Sequence, residues 1–327
     1  MSGVVRLGVH IRPLLRQDLL PISRLIAEAF TLGRREEGYA EVHVPPCRVE
    51  MLEMYLSTTP PGCMLAERGT TAVGVAFSHV YGSTGWIGPV AIAPQWQGRG
   101  VGSQLTQQCV DFLRSARCTT IGLETMPRNY RNLGFYLKLG FLPQQLTCEL
   151  VRPVAGQDAP QLASGMRVRR FSQEAGQGEW SFLGRAAELV SEVAEGTDYG
   201  PLIRQTSAFR FGDSFLLERD DQPAALAVVH TEPYFVGQKR NLARLVVAAL
   251  PEEQREELFP TLLSLLEVHA HQQELDLLCI RVPASSYWAL RWAVEHGFRI
   301  VHSDLRMTLE GYPERLRGGA VHLNRWE

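Results

Sequence analysis

The sequence predicts an α/β protein made of two similar domains. Its 327 residues exceed the usual length of one domain, and strand-like and helix-like apolar patterns alternate along both halves. A stretch rich in Pro, Gly, Ala and Gln, residues 152–165, lacks such a pattern and divides the chain nearly in half. The segment from Pro94 to Gly140 aligns without a gap with the segment from Pro251 to Gly297, at an offset of 157 residues. We therefore predict an internal repeat of one fold.

The elements of the first half can be assigned in order. A strand-like "HIRPL" precedes a helix from about Asp18 to Phe30, and a second helix is predicted from Arg48 to Leu56. The strands "GCMLAE", "AVGVAFSHV" and "WIGPVAIAP" follow. A helix with an apolar face from Val101 to Leu113 comes next. The strand "TIGLET", a helix from about Asn129 to Lys138 and the strand "FLPQQLTCEL" complete the half.

The second half repeats this order. "MRVRRFS" resembles "VHIRPLL", a helix follows from about Trp180 to Val193, and "SFLLERDDQPAALAVVH" resembles "GCMLAERGTTAVGVAFSH". The offset carries the apolar helix face of the first half onto Leu258, Leu262, Leu266 and Ala270. We assign residues 1–151 to the first domain, 152–165 to a linker, 166–312 to the second domain and 313–327 to a C-terminal tail.

Composition narrows the class of partner. The net charge of −2 gives no reason to expect nucleic acid or an anionic membrane as a partner, since neither binds a chain without a basic face. The sequence has no run of about 18 apolar residues and no signal-like start, which favours a cytoplasmic protein. The six cysteines form no C-x-x-C pair, so we expect reduced thiols and no metal site.

Three glycines lie close together in "VAIAPQWQGRGVGSQL", residues 90–105. A strand that runs through glycines into a helix presents free backbone N–H groups at the positive end of the helix dipole, which favours anion binding. A Walker loop would need a Lys, and a dinucleotide fingerprint would need Gly at Ser103. The segment instead reads Q-x-x-G-x-G, with Gln97, Gly100 and Gly102. A plain strand-to-helix turn is the alternative interpretation.

The Q-x-x-G-x-G segment resembles the pyrophosphate-binding motif of the GNAT N-acetyltransferase superfamily. The resemblance implies acetyl-CoA as co-substrate and, in each domain, a mixed, mostly antiparallel sheet flanked by helices and splayed at its central strands. Pantetheine would insert at the splayed strand, where a backbone N–H would polarise the thioester carbonyl. The cofactor-binding residues implied for this motif are Val90, Ala91, Ile92, Gln97, Gly98, Arg99, Gly100, Val101, Gly102 and Ser103.

A second motif supports the resemblance. The stretch "RNYRNLGFYLKLGF" is similar to the closing N-x-x-x-x-x-x-Y-x-K-x-G-F segment of the family, with Asn132 where a small Ala is common. The resemblance implies that Tyr136 is the general acid for the CoA thiolate and that Asn129 contacts the cofactor. Glu124, on the strand beside the splay, is a candidate general base; a chain of water molecules is the alternative.

The second copy differs at each of these positions. The offset places Glu257 and Phe259 where the first half has Gly100 and Gly102, and several glutamates nearby would repel phosphate. Tyr136, Asn129 and Glu124 correspond to Ala293, Ser286 and Arg281. We therefore expect the second domain to keep the fold without binding acetyl-CoA. Because the copy lacks the glycines, we also expect that they serve phosphate binding and are not required for the turn itself.

These features predict an acetyl-CoA-dependent N-acetyltransferase that acetylates a primary amine of a small molecule or peptide in a ternary complex. A non-catalytic acyl-CoA sensor is the alternative. The loop "LGRREEGYAEVHVPP" falls where the family forms its acceptor wall, and Glu36, Glu37 and Glu41 either attract a cationic amine or form a solvated loop. The repeat permits a monomer with an internal pseudo-dimer or a homodimer. The identity of the acceptor stays open.

Overall fold

The computed structural model describes residues 8–156, 158 and 160–326. The predicted features that involve residues 1–7, Gln157, Ala159 and Glu327 lie outside this part of the chain. The elements of the first half are β1 (His10–Pro13), α1 (Leu19–Glu36), α2 (Val49–Thr58), β2 (Met64–Arg68), β3 (Thr71–Tyr81), β4 (Thr84–Ile92), α3 (Val101–Ser115), β5 (Thr120–Thr125), α4 (Tyr130–Lys138) and β6 (Phe141–Pro153).

The second half repeats this order of elements. Its helices and strands are β7 (Met166–Arg170), α5 (Gln177–Val193), α6 (Gly200–Ala208), β8 (Gly212–Arg219), β9 (Gln222–His230), β10 (Leu242–Leu250), α7 (Arg255–Gln272), β11 (Leu277–Pro283), α8 (Tyr287–Glu295), β12 (Arg299–Leu309) and β13 (Val321–Asn324). Helix α8 lies at the offset of 157 residues from α4, residue for residue. The predicted repeat is therefore a repeat of structure. Helix α6, the counterpart of α2, and strand β13, which has no counterpart in the first half, were not predicted from the sequence patterns.

All thirteen strands of the described residues form one continuous sheet. Its order is β1-β2-β3-β4-β5-β12-β6-β11-β10-β9-β8-β7, with β13 paired to β10. Neighbouring strands are antiparallel except for β4 with β5 and β10 with β11. The mixed, mostly antiparallel sheet predicted for each half is confirmed, and the two sheets are joined edge to edge.

The two halves exchange their last long strands. Strand β6 was predicted to complete the first half, but it pairs with β11 of the second half, while β12 pairs with β5 of the first. Strands β6 and β12 also pair with each other along most of their length. The exchange is compatible with the sequence because an alternating strand fits either sheet; only the neighbour it meets decides which sheet it completes.

Helices cover both faces of the sheet. Helices α1 and α2 pack over the first half on one face, and α5 and α6 continue that layer over the second half. Helices α3 and α4 pack on the opposite face, with α7 and α8 beside them. The apolar face predicted for α3 is fully buried at Val101, Leu105, Cys109 and Leu113. The core thus follows the predicted periodicity, and it holds β4 and β5 at the centre of the first half.

Candidate active site

Strands β4 and β5 are paired only where they begin. Thr84–Trp86 of β4 pair with Thr120–Gly122 of β5, and no later pair follows among the described residues. On its other side β4 stays paired with β3 as far as Ile92. The two central strands therefore diverge after Trp86, and the predicted splay lies at Val90, Ala91 and Ile92.

The turn between β4 and α3 depends on glycine. Gly98 and Gly100 have φ angles of +72° and +85°, in the left-handed region that side chains other than Gly rarely adopt. Gly100 is the N-cap residue of α3, so the backbone N–H groups of the first turn of α3 are free to bind an anion. The side-chain amide of Gln97 donates to the carbonyl of Ile92 (3.0 Å), which fixes the turn to the end of β4.

Our expectation that the glycines are not required for the turn was wrong. The second half does not keep the turn: α7 begins at Arg255, which corresponds to Gly98, three residues earlier than α3 begins in the first half. A helix therefore occupies the space that the glycine loop has in the first half. The glycines are therefore needed for the left-handed loop that precedes α3.

One groove of about 700 Å³ connects the splay, the glycine turn and α4. It is lined by all but two of the predicted cofactor residues and by Tyr136. Arg99 instead lies over the ring of Trp96, and Val101 is buried in the core below the groove. The groove lining that the sequence motifs predicted consists of Val90, Ala91, Ile92, Gln97, Gly98, Gly100, Gly102, Ser103, Asn129 and Tyr136.

The groove also has a wall that we did not predict. Ala29, Phe30 and Gly33 of α1 line it, because α1 extends to Glu36 and so passes over the splayed strands. Glu36 is part of this wall but is ion-paired with Arg131 (3.0 Å). The helical pattern of α1 was visible in the sequence, but its contact with the groove depends on how the helix crosses the sheet.

Asn129, at the start of α4, and Glu37, at the end of α1, are hydrogen-bonded to each other. The Asn129 side chain caps α4 by accepting from the backbone N–H of Asn132 (3.0 Å), and its amide donates to Glu37 (3.2 Å). The Glu37 side chain is 2% exposed and also lies 3.6 Å from Arg34. These contacts tie the end of α1 to the start of α4, on opposite sides of the groove. Glu37 is therefore not a solvated loop residue, whereas Glu41 is exposed.

Tyr136 is the buried residue of α4. Its side chain lines the groove and packs edge-on against Phe141, with ring centroids 6.0 Å apart. Burial raises the pKa of the Tyr136 hydroxyl above its ordinary value, so the phenol keeps its proton at neutral pH. The geometry supplies a protonated hydroxyl at the groove, as a general acid requires.

Glu124 lies in an ion-pair network away from the groove lining. Its carboxylate accepts from Arg306 (2.7 Å and 2.9 Å), Arg281 (2.5 Å) and Thr147 (2.6 Å). The Glu124 side chain is 3% exposed. A carboxylate whose lone pairs already accept these donors does not favour proton abstraction from an amine. Arg281 is the residue of the second half that corresponds to Glu124. Because the two halves differ at this position, the two equivalent residues form an ion pair with each other across the exchanged strands.

The corresponding cleft in the second half is filled by the chain itself. Strands β10 and β11 also diverge, after Leu245 and Ile280. Strand β13 then pairs with β10, and its Leu323 and Asn324 lie opposite Ala248 and Val247. These two β10 residues correspond to Ala91 and Val90, so β13 takes the place that the groove leaves open in the first half.

The residues before and after β13 extend this filling. Arg255, which corresponds to Gly98, donates to the carbonyl of Gly319 (2.5 Å) just before β13. After β13, Trp326 is 1% exposed and its ring stacks on Trp86, with centroids 5.9 Å apart. The segment assigned as a tail is thus a buried part of the fold. Its strand β13 lies against β10 where β10 and β11 diverge.

The described residues hold no metal-ligating cluster, no membrane-spanning helix and no disulfide. No group of three or more His, Cys, Asp or Glu side chains is placed to hold a metal ion. No described helix has both the length and the apolar character that a membrane-spanning helix needs. The six cysteines are free thiols, and all but Cys148 are buried.

Comparisons with known proteins agree with this geometry. Residues 23–141 match the family model described as "Acetyltransferase (GNAT) family". No curated protein sequence matches the chain. Solved structures of similar fold include a proposed acetyltransferase from Pyrococcus horikoshii, with 18% identity and a TM-score of 0.63 over 94% of this chain and 92% of that one.

Two further structures cover nearly the whole length of both chains. A GCN5-related N-acetyltransferase from Sphaerobacter thermophilus is 14% identical, with a TM-score of 0.61 over 95% of this chain and 97% of that one. A tandem GNAT protein from the clavulanic acid biosynthesis pathway is 15% identical, with a TM-score of 0.60 over 93% and 99%. At these identities the likeness is one of fold. Residues 23–141 therefore match the acetyltransferase (GNAT) family model, and the whole chain has the fold of these tandem GNAT structures.

Proposed function

We propose that this protein is an N-acetyltransferase that binds acetyl-CoA in the first half only and transfers the acetyl group to a primary amine. The observation that carries the proposal is the single groove in which the splay, the left-handed glycine turn and Tyr136 meet. A groove of about 700 Å³ lies within the range of cofactor sites. Bound acetyl-CoA supplies an acetyl group activated as a thioester.

The groove residues have distinct roles in this proposal. The turn from Gln97 to Ser103 holds the pyrophosphate with backbone N–H groups. The unpaired edge of β4 at Val90, Ala91 and Ile92 holds pantetheine and donates to the thioester carbonyl, where negative charge develops. The amine nitrogen forms a bond to the acetyl carbon as the C–S bond breaks. Tyr136 protonates the departing sulfur, and the surplus amine proton leaves to water.

We infer that Glu124 and Asn129 act on the structure around the groove. Glu124 is held by two arginines and a threonine, so the water alternative for the base is favoured over a role for this carboxylate. Asn129 lines the groove, but its side chain already caps α4 and bonds Glu37. Its contribution is to hold α4, and with it Tyr136, against the end of α1.

The second half has a supporting role in the proposal. The glutamates around the start of α7, the helix in place of the glycine loop and the presence of β13 in the cleft each oppose CoA binding there. A large shared sheet and exchanged strands make the second half a permanent partner of the first. We propose a monomer that contains this internal pseudo-dimer.

We expect Tyr136→Phe to lower kcat at neutral pH by about a hundredfold, because loss of a general acid costs about 10²- to 10⁴-fold. The Michaelis constant for acetyl-CoA should change little. The deficit should shrink as the pH rises past about 8.5, the ordinary pKa of a thiol, since the thiolate then leaves without a proton. Rates of CoA-thiol release at pH 6–10 with a panel of amines measure the effect.

The matched control is Tyr130→Phe. Tyr130 also lines the groove, but it is 79% exposed, so the loss of its hydroxyl should leave kcat unchanged. Full turnover of Tyr136→Phe at every pH would remove the assigned general acid. Tight binding of acetyl-CoA without thiol release, whichever amine is offered, would favour the sensor alternative over an enzyme.

A further inference from the structure

Trp326, two residues after β13, packs where the central strands of the first half begin to diverge. Trp86 of β4 and Gly122 of β5 form the last pair of these two strands among the described residues. The Trp326 ring stacks on the Trp86 ring, with an angle of 15° between the ring planes and 5.9 Å between the centroids. Both tryptophans are buried in one core cluster. A side chain of the second half thus lies at the base of the splay.

Gly122 allows the indole of Trp326 to approach the backbone of β5. A Cβ placed on Gly122 would overlap Cζ3 of Trp326, and it would lie 2.9 Å from Cε3 of the same ring and 2.7 Å from the main-chain oxygen of Met307 on β12. Gly122 is not among the glycines with a positive φ angle. Glycine is therefore required here by the close approach of its neighbours and not by the backbone conformation.

A third contact connects Trp326 to the part of β5 beyond the last pair. The guanidinium of Arg306 lies over the Trp326 ring, 4.2 Å from its centroid. This guanidinium donates to the Glu124 carboxylate (2.7 Å and 2.9 Å) and to the carbonyl of Asn324 (3.2 Å). Glu124 is two residues after Gly122, so both lie on the same face of β5. The indole and the guanidinium cover this face where β5 leaves β4.

The second half holds Trp326 in this position. The preceding strand, β13, pairs with Val247–Leu250 of β10, and β12, which carries Arg306, pairs with β5. The indole contacts β4 through Trp86 and β5 through Gly122, while the chain before it is fixed to β10. Protein interiors are close-packed, so a rigid ring between these groups fixes how far apart the two strands lie.

We propose that Trp326 is a positioning residue for acetyl transfer, which holds β4 and β5 at the separation that pantetheine requires. The edge of β4 that is proposed to bind pantetheine begins at Val90, four residues after Trp86. A displacement of Trp86 therefore moves the backbone N–H groups that meet the thioester. The inference rests on the proposed function of the first half. It makes the second half a part of the reaction site.

The test measures two affinities by titration calorimetry, in the unaltered protein and in Trp326→Ala. The ligands are acetyl-CoA and adenosine 3′-phosphate 5′-diphosphate, which keeps the pyrophosphate and lacks pantetheine. We expect Trp326→Ala to bind acetyl-CoA about tenfold more weakly, the value of one or two hydrogen bonds. Its affinity for the nucleotide should not change, because Gln97 and α3 hold the glycine turn.

The rate of CoA-thiol release gives a second measurement. We expect the kcat of Trp326→Ala to fall about 10- to 100-fold, since a displacement of about 1 Å at a reaction site costs up to about a hundredfold. Trp326→Phe should restore most of kcat and of the affinity for acetyl-CoA. The indole N–H of Trp326 has no acceptor among the described residues, so Phe keeps an aromatic ring and loses no hydrogen bond.

Two further variants separate positioning from stability. Trp326→Leu keeps apolar bulk without the flat ring, so it should show the same selective loss to a smaller degree even if Trp326→Ala does not fold. Phe259→Ala is the matched control, because Phe259 is fully buried on α7 and its ring packs against Trp288 and Trp292 of α8. It should lower the melting temperature about as much as Trp326→Ala and leave both affinities and kcat unchanged.

Three results would overturn the proposal. They are an equal loss of affinity for both ligands in Trp326→Ala, an unchanged affinity for acetyl-CoA together with an unchanged kcat in that variant, and a selective loss of acetyl-CoA in Phe259→Ala. Absence of acetyl transfer by the unaltered protein would count against the proposed function. The two affinities would then still decide the role of Trp326, because they do not depend on turnover.

Discussion

Acetyl-CoA is expected to bind the Gly100→Glu variant about a thousandfold more weakly than the unaltered protein. Two unit charges about 4 Å apart at an effective dielectric constant near 20 repel by about 4 kcal/mol, which is close to a thousandfold in affinity. Gly100 has a φ of +85°, so a side chain there adds about 1–2 kcal/mol of backbone strain. Titration calorimetry with acetyl-CoA measures the loss.

Two controls separate charge from strain. Gly100→Gln has the same strain and nearly the same size without the charge, so it should bind acetyl-CoA more tightly than Gly100→Glu. Gly69→Glu places the same residue at a glycine with a φ of +61° and open space around it, in the turn between β2 and β3. It should lower the stability slightly and leave the affinity unchanged. Equal affinities of Gly100→Glu and the unaltered protein would contradict the phosphate site.

The Glu124→Gln variant is expected to lose about 3–5 kcal/mol of unfolding free energy, the cost of breaking a buried ion pair from one side. Arg306 is fully buried, and without Glu124 it would keep only Glu314 as a charged partner, at 2.8 Å. Denaturant unfolding measures the change. Turnover per folded molecule should stay within the same order of magnitude, because the proposed role of Glu124 is to hold β5, β11 and β12 together.

Glu295→Gln is the matched control for this variant. Glu295 is 54% exposed and pairs with Arg291 one helical turn away (2.7 Å), so its loss should cost less than about 0.5 kcal/mol. If Glu124→Gln kept its stability and lost turnover by several orders of magnitude, Glu124 would be restored as the general base that its place beside the splay first indicated.

The elements with strong periodicity were predictable from the sequence. The 157-residue offset located α7 and α8, and the helical spacing of apolar residues predicted the buried face of α3 at Leu105 and Cys109. The two motifs brought Gly100 and Tyr136 into one groove although 36 residues separate them. These features depend on local pattern and on a repeated spacing, and both are readable along the chain.

The features that the sequence did not predict depend on which strands pair with each other in the sheet. The exchange of β6 and β12 leaves the alternation of apolar residues unchanged, so no local signal distinguishes it from the unexchanged pairing. The role of Glu124 follows from that exchange, because it is β12 that brings Arg306 next to it. Strand β13 has only four residues, and its alternation of Val321 and Leu323 with polar residues is too short to assign by pattern.

The number of acetyl-CoA molecules bound per chain tests the central claim most directly. Titration calorimetry of the unaltered protein should give one site, and the Gly100→Glu variant should leave no site of comparable affinity, because β13 fills the cleft of the second half. Two sites per chain, or one site that persists in Gly100→Glu, would place cofactor binding in the second half and contradict the account.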